Sequence, residues 1–311
     1  MNKKYAFLFP GQGAQYVGMG RDFYDHFSIA KQTFEEADEI LGQNFSRLIF
    51  EGPSDQLTLT KNSQIGIYIT SIAMLRTLAQ QFPDLQPSVC AGLSLGEYTA
   101  LTAAKKISFN NCLKLVKARA EFMNDACDTI EGSMQVILGL NADVVEEVLL
   151  PLAAHQVWVA NINCPGQVVI AGTKSGIELA TRALKEKGAK RALPLDVSGA
   201  FHSGLMKEAQ ERLTPYLMEV TLQTSPIDIV MNVPGDYVVG SEALRRCLID
   251  QITQPVRWEK GICAIQAKGV DGYMEIGCGK TLSGMNKRIG VTAPTWSIEK
   301  ISDLEGVLCN C

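Results

Sequence analysis

Ser94 is the residue of this chain best suited to nucleophilic chemistry. It lies in Gly92-Leu93-Ser94-Leu95-Gly96, a Gly-x-Ser-x-Gly pattern. The pattern alone also occurs in ordinary turns, so its surroundings carry the argument. Before it, Ser88-Val89-Cys90-Ala91 reads as the end of a strand; after it, the Ala/Leu-rich stretch 95–104 reads as a helix. Strand, tight turn and helix are the setting of a nucleophile elbow. Glycines without a Cβ let the chain turn sharply and hold the serine in a strained conformation. The first amides of the helix then point at any negative charge that develops there.

A serine hydroxyl needs a general base, and the chain offers His26, His155 and His202. His26 falls in a polar helical stretch and His155 in a loop between regular elements. His202 stands in Ala200-Phe201-His202-Ser203, a loop flanked by small residues, where working groups are common. The familiar order Ser, Asp/Glu, late His is impossible, because no histidine follows His202. Asp196 is near in sequence, yet proximity does not make it an orienting partner. A dyad oriented by a backbone carbonyl or amide and a triad both remain open.

Arg119 is the third residue of interest. Successive residues about 100° apart over 109–126 put Cys112, Val116, Ala120 and Met123 on one apolar face. Lys114, Lys117, Glu121 and Asp125 take the opposite face, and Arg119 falls within the apolar one. A buried guanidinium stays charged and needs an anionic partner. That partner is either an internal carboxylate, with Glu97 a candidate, or a carboxylate carried by a substrate.

The elements needed to position these groups follow from the rest of the chain. A length of 311 residues suggests one large domain and a smaller one. A strand over 4–9 runs into Pro10-Gly11-Gln12-Gly13-Ala14-Gln15, which is neither a Walker loop nor Gly-x-Gly-x-x-Gly. Helices are expected over 29–41 and 65–81. From 133 the pattern becomes strand 134–140, helix 142–153, strand 157–162, strand 167–171, helix 176–187 and strand 189–195. That β-α-β-β-α-β order is ferredoxin-like and reads as an insertion at 132–197 into a larger α/β domain formed by 1–131 and 198–311. A helix to about 218, a strand at 227–233, helices at 243–252 and 258–268, and a strand at 273–276 follow. Gly277-Cys278-Gly279-Lys280 then opens a last helix to 288. Strands alternating with helices indicate an α/β fold with a largely parallel sheet.

Composition narrows the function classes. No apolar run approaches a membrane span, and the N-terminal apolar run is too short for a signal peptide. Nine scattered cysteines fit a reducing, cytoplasmic setting rather than a disulfide framework. No Cys-x-x-Cys occurs and only three histidines are present, so a structural zinc site is not expected. A net charge of −4 disfavours nucleic acid as a partner.

Several segments together resemble the malonyl-CoA:acyl carrier protein transacylase family. They are Phe9-Pro10-Gly11-Gln12-Gly13-Ala14-Gln15, Gly92 to Tyr98, Arg119 with Met123, Ala160-Asn161-Ile162-Asn163-Cys164-Pro165-Gly166-Gln167 with the following residues to Gly172, and Ala200-Phe201-His202-Ser203. Gln251 with Pro255-Val256-Arg257-Trp258, and Glu275 to Lys280, complete the set. The segments occur in the family's order and span almost the whole chain.

The resemblance implies an α/β-hydrolase-like core with an inserted ferredoxin-like subdomain. It implies Ser94 as nucleophile, His202 as base, the Gln12 and Leu95 amides as oxyanion hole, and Gln251 orienting His202 through a carbonyl. Arg119 would grip the malonyl carboxylate, with Met123, Asn161 and Asn163 also binding substrate. The implied reaction moves malonyl from malonyl-CoA to the phosphopantetheine thiol of acyl carrier protein in fatty-acid biosynthesis, through a malonyl-serine and without metal or redox cofactor. We expect a monomer. The acidic carrier would dock on basic residues, for which Lys187, Lys190 and Arg191, or Lys287 and Arg288, are candidates. Leu93 departs from the family's usual histidine before the nucleophile, and Cys278 from its usual proline between glycines. A serine thioesterase or carboxylesterase, a non-catalytic carrier-binding module and a polyketide loading enzyme are the alternatives.

Overall fold

β1 (Tyr5–Phe9) is apolar and buried along its whole length, as befits a strand inside a parallel sheet covered by helices on both faces. The computed structural model describes residues 3–197 and 199–310. The expected domain limits at Met1, Ser198 and Cys311 lie outside the described residues. After β1 come α1 (Arg21–His26), α2 (Ser28–Leu41), α3 (Phe45–Glu51), α4 (Ser54–Thr58) and α5 (Thr60–Gln81). β2 (Pro87–Gly92) leads into the turn at Ser94, from which α6 (Gly96–Ala103) leaves, and α7 (Phe109–Thr129) follows. The middle of the chain holds β3 (Gly132–Leu138), α8 (Ala142–Leu149), β4 (Val157–Cys164), β5 (Gln167–Thr173), α9 (Lys174–Glu186) and β6 (Arg191–Pro194). Then come α10 (Lys207–Glu219), β7 (Asp228–Met231), β8 (Asp236–Tyr237), α11 (Ser241–Gln251) and β9 (Val256–Arg257). α12 (Trp258–Lys268), β10 (Gly272–Ile276), α13 (Thr281–Ile289), β11 (Thr295–Ile298) and α14 (Asp303–Asn310) end the order.

The main sheet has the order β11-β10-β1-β2-β7-β8 and is parallel except at the β7–β8 edge. Helices cover both faces. Phe7 and Phe9 join a core with residues of α2, α5, α7 and α10, while Ala6, Leu8, Val89 and Val230 pack with Trp258, Ile262 and Leu282 on the other side. The second sheet, β6-β3-β5-β4-β9, is antiparallel except where β9 joins β4 in parallel. β3, α8, β4, β5, α9 and β6 form the ferredoxin-like arrangement with a core of their own around Ile137, Val157, Ile170 and Leu184. β9 comes from beyond residue 197, so Asn161 and Ile162 are paired with Val256 and Arg257 of the later chain. No described helix is long and apolar enough to cross a membrane.

Several expected elements differ in extent. The helix expected over 142–153 stops at Leu149, and a 3₁₀ turn over Leu150–His155 replaces its end. Pro151 has no amide for an α-helical bond and fits the first turn of a new segment instead. The strand expected from 189 begins at Arg191, because the Ala189 amide bonds back to the Leu184 carbonyl and closes α9. The strand expected over 227–233 ends at Met231, and α5 starts five residues before the expected position 65. β8, β9 and β11, of two to four residues, are too short to show a period in the sequence.

The turn between β2 and α6 is set by close backbone approach. A Cβ on Gly92 would fall 1.9 Å from the carbonyl carbon of Gly96, and one on Gly96 would fall 2.1 Å from the Phe9 carbonyl oxygen. Both contacts are with backbone, which cannot swing away as a side chain can. Gly96→Ala should therefore lower unfolding stability by about 3 kcal/mol, the upper range for overpacking. Urea denaturation checks this; a loss below about 1 kcal/mol would contradict the packing argument.

Candidate active site

Ser94 has φ of 52°, in the left-handed region. A residue with a Cβ pays about 1–2 kcal/mol there, so something must hold it. Its amide donates to Asn232 Oδ1 at 2.8 Å, and Asn232 Nδ2 donates to the Gly92 carbonyl at 2.7 Å. Gln251 Nε2 donates to the Ser94 carbonyl at 2.9 Å. Two buried amide side chains thus fasten the turn on both sides of the serine.

His202 is also left-handed, with φ of 57°, and is buried. Its Nε2 lies 2.8 Å from Ser94 Oγ, and its Nδ1 lies 2.7 Å from the Gln251 backbone carbonyl. A carbonyl can only accept, so Nδ1 carries the hydrogen and Nε2 is left to accept from the serine hydroxyl. The group behind the imidazole is therefore a peptide oxygen, whereas Asp196 is exposed. Burial and then the Arg119 charge pull His202 down to about 4, with the Gln251 carbonyl opposing them. The imidazole is neutral at physiological pH. His26 is exposed in α1 and His155 ends the 3₁₀ turn, so neither joins this group.

Gln12 lines the same cleft, with its side-chain Nε2 tied to Thr60 Oγ1 at 3.1 Å. Leu95 is the buried residue from which α6 begins. Neither backbone amide has a hydrogen-bond acceptor among the described residues. The two free amides, one from the β1 loop and one from the α6 N-terminus, are of the kind that stabilises an oxyanion.

Arg119 is 1% exposed, in the middle of α7. Nη1 donates to Gln64 Oε1, while Nη2 donates to Ser94 Oγ at 3.0 Å and to Gln251 Oε1 at 2.9 Å. Nε is buried without a partner. Among the described residues no carboxylate comes within 4.0 Å of this guanidinium. Glu97, the internal candidate, instead accepts from the Asn232 amide at 2.5 Å and from Gln251 Nε2 at 2.6 Å. Burial pushes Glu97 up to about 8 against the pull of those donors and of Arg119. The buried cation thus holds neutral oxygens beside the serine and keeps its charge unpaired.

These groups open on a cleft of about 240 Å³ between the two sheets. Met123 and Leu93 give it apolar walls, and the second sheet contributes Asn161, Asn163 and Gln167. Asn163 is buried, and its Oδ1 has no partner. Cys278 lies away from this cleft, buried with Sγ 3.3 Å from Met19 Sδ, between glycines at φ 139° and 77° that make the turn. A separate apolar cavity of about 360 Å³ near Arg76 and Phe109 contains none of these groups. Among the described residues no cluster of three His, Cys, Asp or Glu side chains could hold a metal.

Gln64 and Asn232 are the site residues that sequence reasoning missed. Gln64 carried a usable signal: a polar residue directly before the apolar run Ile65-Gly66-Ile67 of a helix buried almost all round. Asn232 carried none, since it stands at a strand end among ordinary turn residues.

Comparison with known proteins accords with this geometry. A family model described as "Acyl transferase domain" matches residues 6–287. The malonyl CoA-acyl carrier protein transacylase of Bacillus subtilis (strain 168) is 43% identical over 97% of this chain and 95% of its own. That of Escherichia coli (strain K12) is 38% identical over 98% of this chain and 99% of its own. The crystal structure of the Streptococcus pneumoniae MCAT superposes with a TM-score of 0.94 at 38% identity, covering 99% of this chain and 100% of that one. A malonyl-transacylase solved with its type II PKS acyl-carrier protein gives the same TM-score at 37% identity, covering 99% and 100%. Near full-length identity of this degree, on the same fold, makes the chain a member of the malonyl-CoA:acyl carrier protein transacylase family.

Proposed function

We propose that this protein transfers a malonyl group from malonyl-CoA to the phosphopantetheine thiol of an acyl carrier protein, in two steps through Ser94. The observation that carries the reading is a buried, carboxylate-free Arg119 with Nη2 3.0 Å from the oxygen of a histidine-paired serine. In the first step His202 Nε2 takes the Ser94 proton as Oγ attacks the thioester carbonyl. The amides of Gln12 and Leu95 hold the oxyanion, and such a donor is typically worth about 3 kcal/mol. The C–S bond breaks, the proton passes from His202 to the departing sulfur, and a malonyl-serine ester remains. In the second step His202 takes the proton of the carrier thiol, the sulfur attacks the ester, and Ser94 recovers its hydrogen.

Arg119 binds the free carboxylate of the malonyl group. Asn163 lines the cleft and its buried Oδ1 has no partner, so it offers an acceptor to the substrate; Asn161 and Met123 line the same cleft. No step calls for a metal or redox cofactor. The acidic carrier is met by Lys287 and Arg288, which close α13; Arg288 donates to Gln167 at the cleft at 2.7 Å. Lys190 lies over Gly139, whose amide bonds Gly166 next to Gln167, which makes it a second candidate contact on the same side of the cleft. We place the enzyme in the cytoplasm, acting as a monomer in fatty-acid or polyketide synthesis. Hydrolysis is disfavoured because a water-accepting esterase has no use for an unpaired cation at the acyl end of the cleft.

Arg119→Ala should lower malonyl transfer to carrier protein about a hundredfold or more, near 3 kcal/mol, while acetyl transfer is kept or gained. Parallel assays with malonyl-CoA and acetyl-CoA read this, and equal losses for both acyl groups would refute the clamp. Because His202 is held down to about 4, its base form persists as pH falls through the ordinary imidazole value of 6.5. The acid limb of kcat/KM for malonyl-CoA, which reports the free enzyme, should fall at a pH nearer 4 than 6.5. A half-point at 6.5 would show that burial and Arg119 do not govern the base.

A further inference from the structure

The Gln251 side chain hydrogen-bonds both the serine turn and the guanidinium, while its backbone oxygen holds His202. Its amide has two possible orientations, and only one of them suits Arg119. Nε2 donates to the Ser94 carbonyl at 2.9 Å and to Glu97 Oε2 at 2.6 Å, with Asn232 Oδ1 farther off at 3.5 Å. With both hydrogens of the amide spent there, Oε1 must face Arg119 Nη2, which can only donate. A flipped Gln251 would set its NH₂ against the guanidinium.

Glu97 selects between these orientations. It is wholly buried, and each of its oxygens faces a donor: Oε1 the Asn232 amide at 2.5 Å, Oε2 the Gln251 amide. Both partners are N–H groups that can only donate, so the geometry is that of the carboxylate, which these donors and Arg119 favour against the burial that pushes Glu97 up to about 8. A glutamine of the same shape would have one acceptor and one donor, so its NH₂ would meet either the Asn232 amide or Gln251 Nε2. The simplest relief is for Gln251 to turn over, which removes an acceptor from Arg119. Glu97 touches neither His202 nor Ser94 Oγ by any hydrogen bond among the described residues.

We infer that Glu97 is a positioning residue for acyl selectivity: by fixing the Gln251 amide it presents Arg119 to the substrate carboxylate. The inference rests on the malonyl-transfer reading above and adds a residue to it. A residue that merely supported the fold of the turn would affect every acyl donor alike. One acting through Arg119 affects the donor with a carboxylate.

The test compares rates of acyl-enzyme formation from malonyl-CoA and from acetyl-CoA, by intact mass at timed intervals, for the unsubstituted protein and Glu97→Gln. The malonyl-to-acetyl rate ratio should fall at least tenfold in Glu97→Gln. An unchanged ratio, whether or not both rates fall, overturns the inference. If Glu97→Gln does not fold, Gln251→Met serves in its place, since it removes the amide but keeps the backbone carbonyl. The same tenfold fall is expected, and an unchanged ratio overturns the inference equally. Absence of any malonyl adduct on the unsubstituted protein would overturn the underlying reading itself, which separates the two failures.

Discussion

A buried positive charge with no carboxylate in contact with it among the described residues governs the architecture of this site. Arg119 is 1% exposed, lies 5.3 Å from the centre of the Tyr98 ring and, among the described residues, hydrogen-bonds only to neutral oxygens, those of Gln64, Gln251 and Ser94. Burying an ion costs several kcal/mol, which hydrogen bonds to amides offset in part. A carboxylate arriving at about 4 Å would gain roughly 4 kcal/mol at an effective dielectric near 20. An acyl group without a carboxylate gains none of this and leaves the charge as it was. The same cation helps to keep His202 neutral, so on the proposed reading one guanidinium would bear on both the choice of substrate and the state of the base.

The backbone around it is held in conformations it would not choose. Ser94 and His202 are both left-handed, at φ 52° and 57°, each costing about 1–2 kcal/mol without a glycine. Asn232 and Gln251 offset that strain by closing hydrogen bonds on either side of the serine. The parallel sheet fixes their origins, because Gly92 ends β2 and Asn232 follows directly on β7, its neighbour. Preorganisation of this kind means that little has to move when charge develops on the reacting oxygen. The second sheet closes the cleft from the other side, and β9 ties it to the later chain close to Gln251.

Much of this was legible in the residues. Ser94 announces itself because the turn demands glycines two residues away on either side. Arg119 does so because a charge on an apolar helix face needs an anionic partner, whether internal or brought by a substrate. His202 follows by elimination among three histidines. The long elements were legible for the same reason: periods of 3.6 and 2 show over ten residues and do not show over two, which hid β8 and β9. What the sequence does not display is contact between distant residues. Asn232 lies 138 positions from the amide it receives, and Gln64 lies 55 from the guanidinium it meets. The choice between a carboxylate and a backbone oxygen behind His202 was open for the same reason, since a peptide carbonyl has no letter of its own.

On the proposed mechanism the malonyl group rides on Ser94 between donor and acceptor. Intact mass of the protein after mixing with malonyl-CoA, beside Ser94→Ala and followed by addition of carrier protein, tests it most directly. A single malonyl adduct is expected, absent from Ser94→Ala and discharged onto the carrier. Release of CoA with no adduct and no transfer would contradict it in favour of a hydrolase. An adduct that persists in Ser94→Ala would place the nucleophile elsewhere.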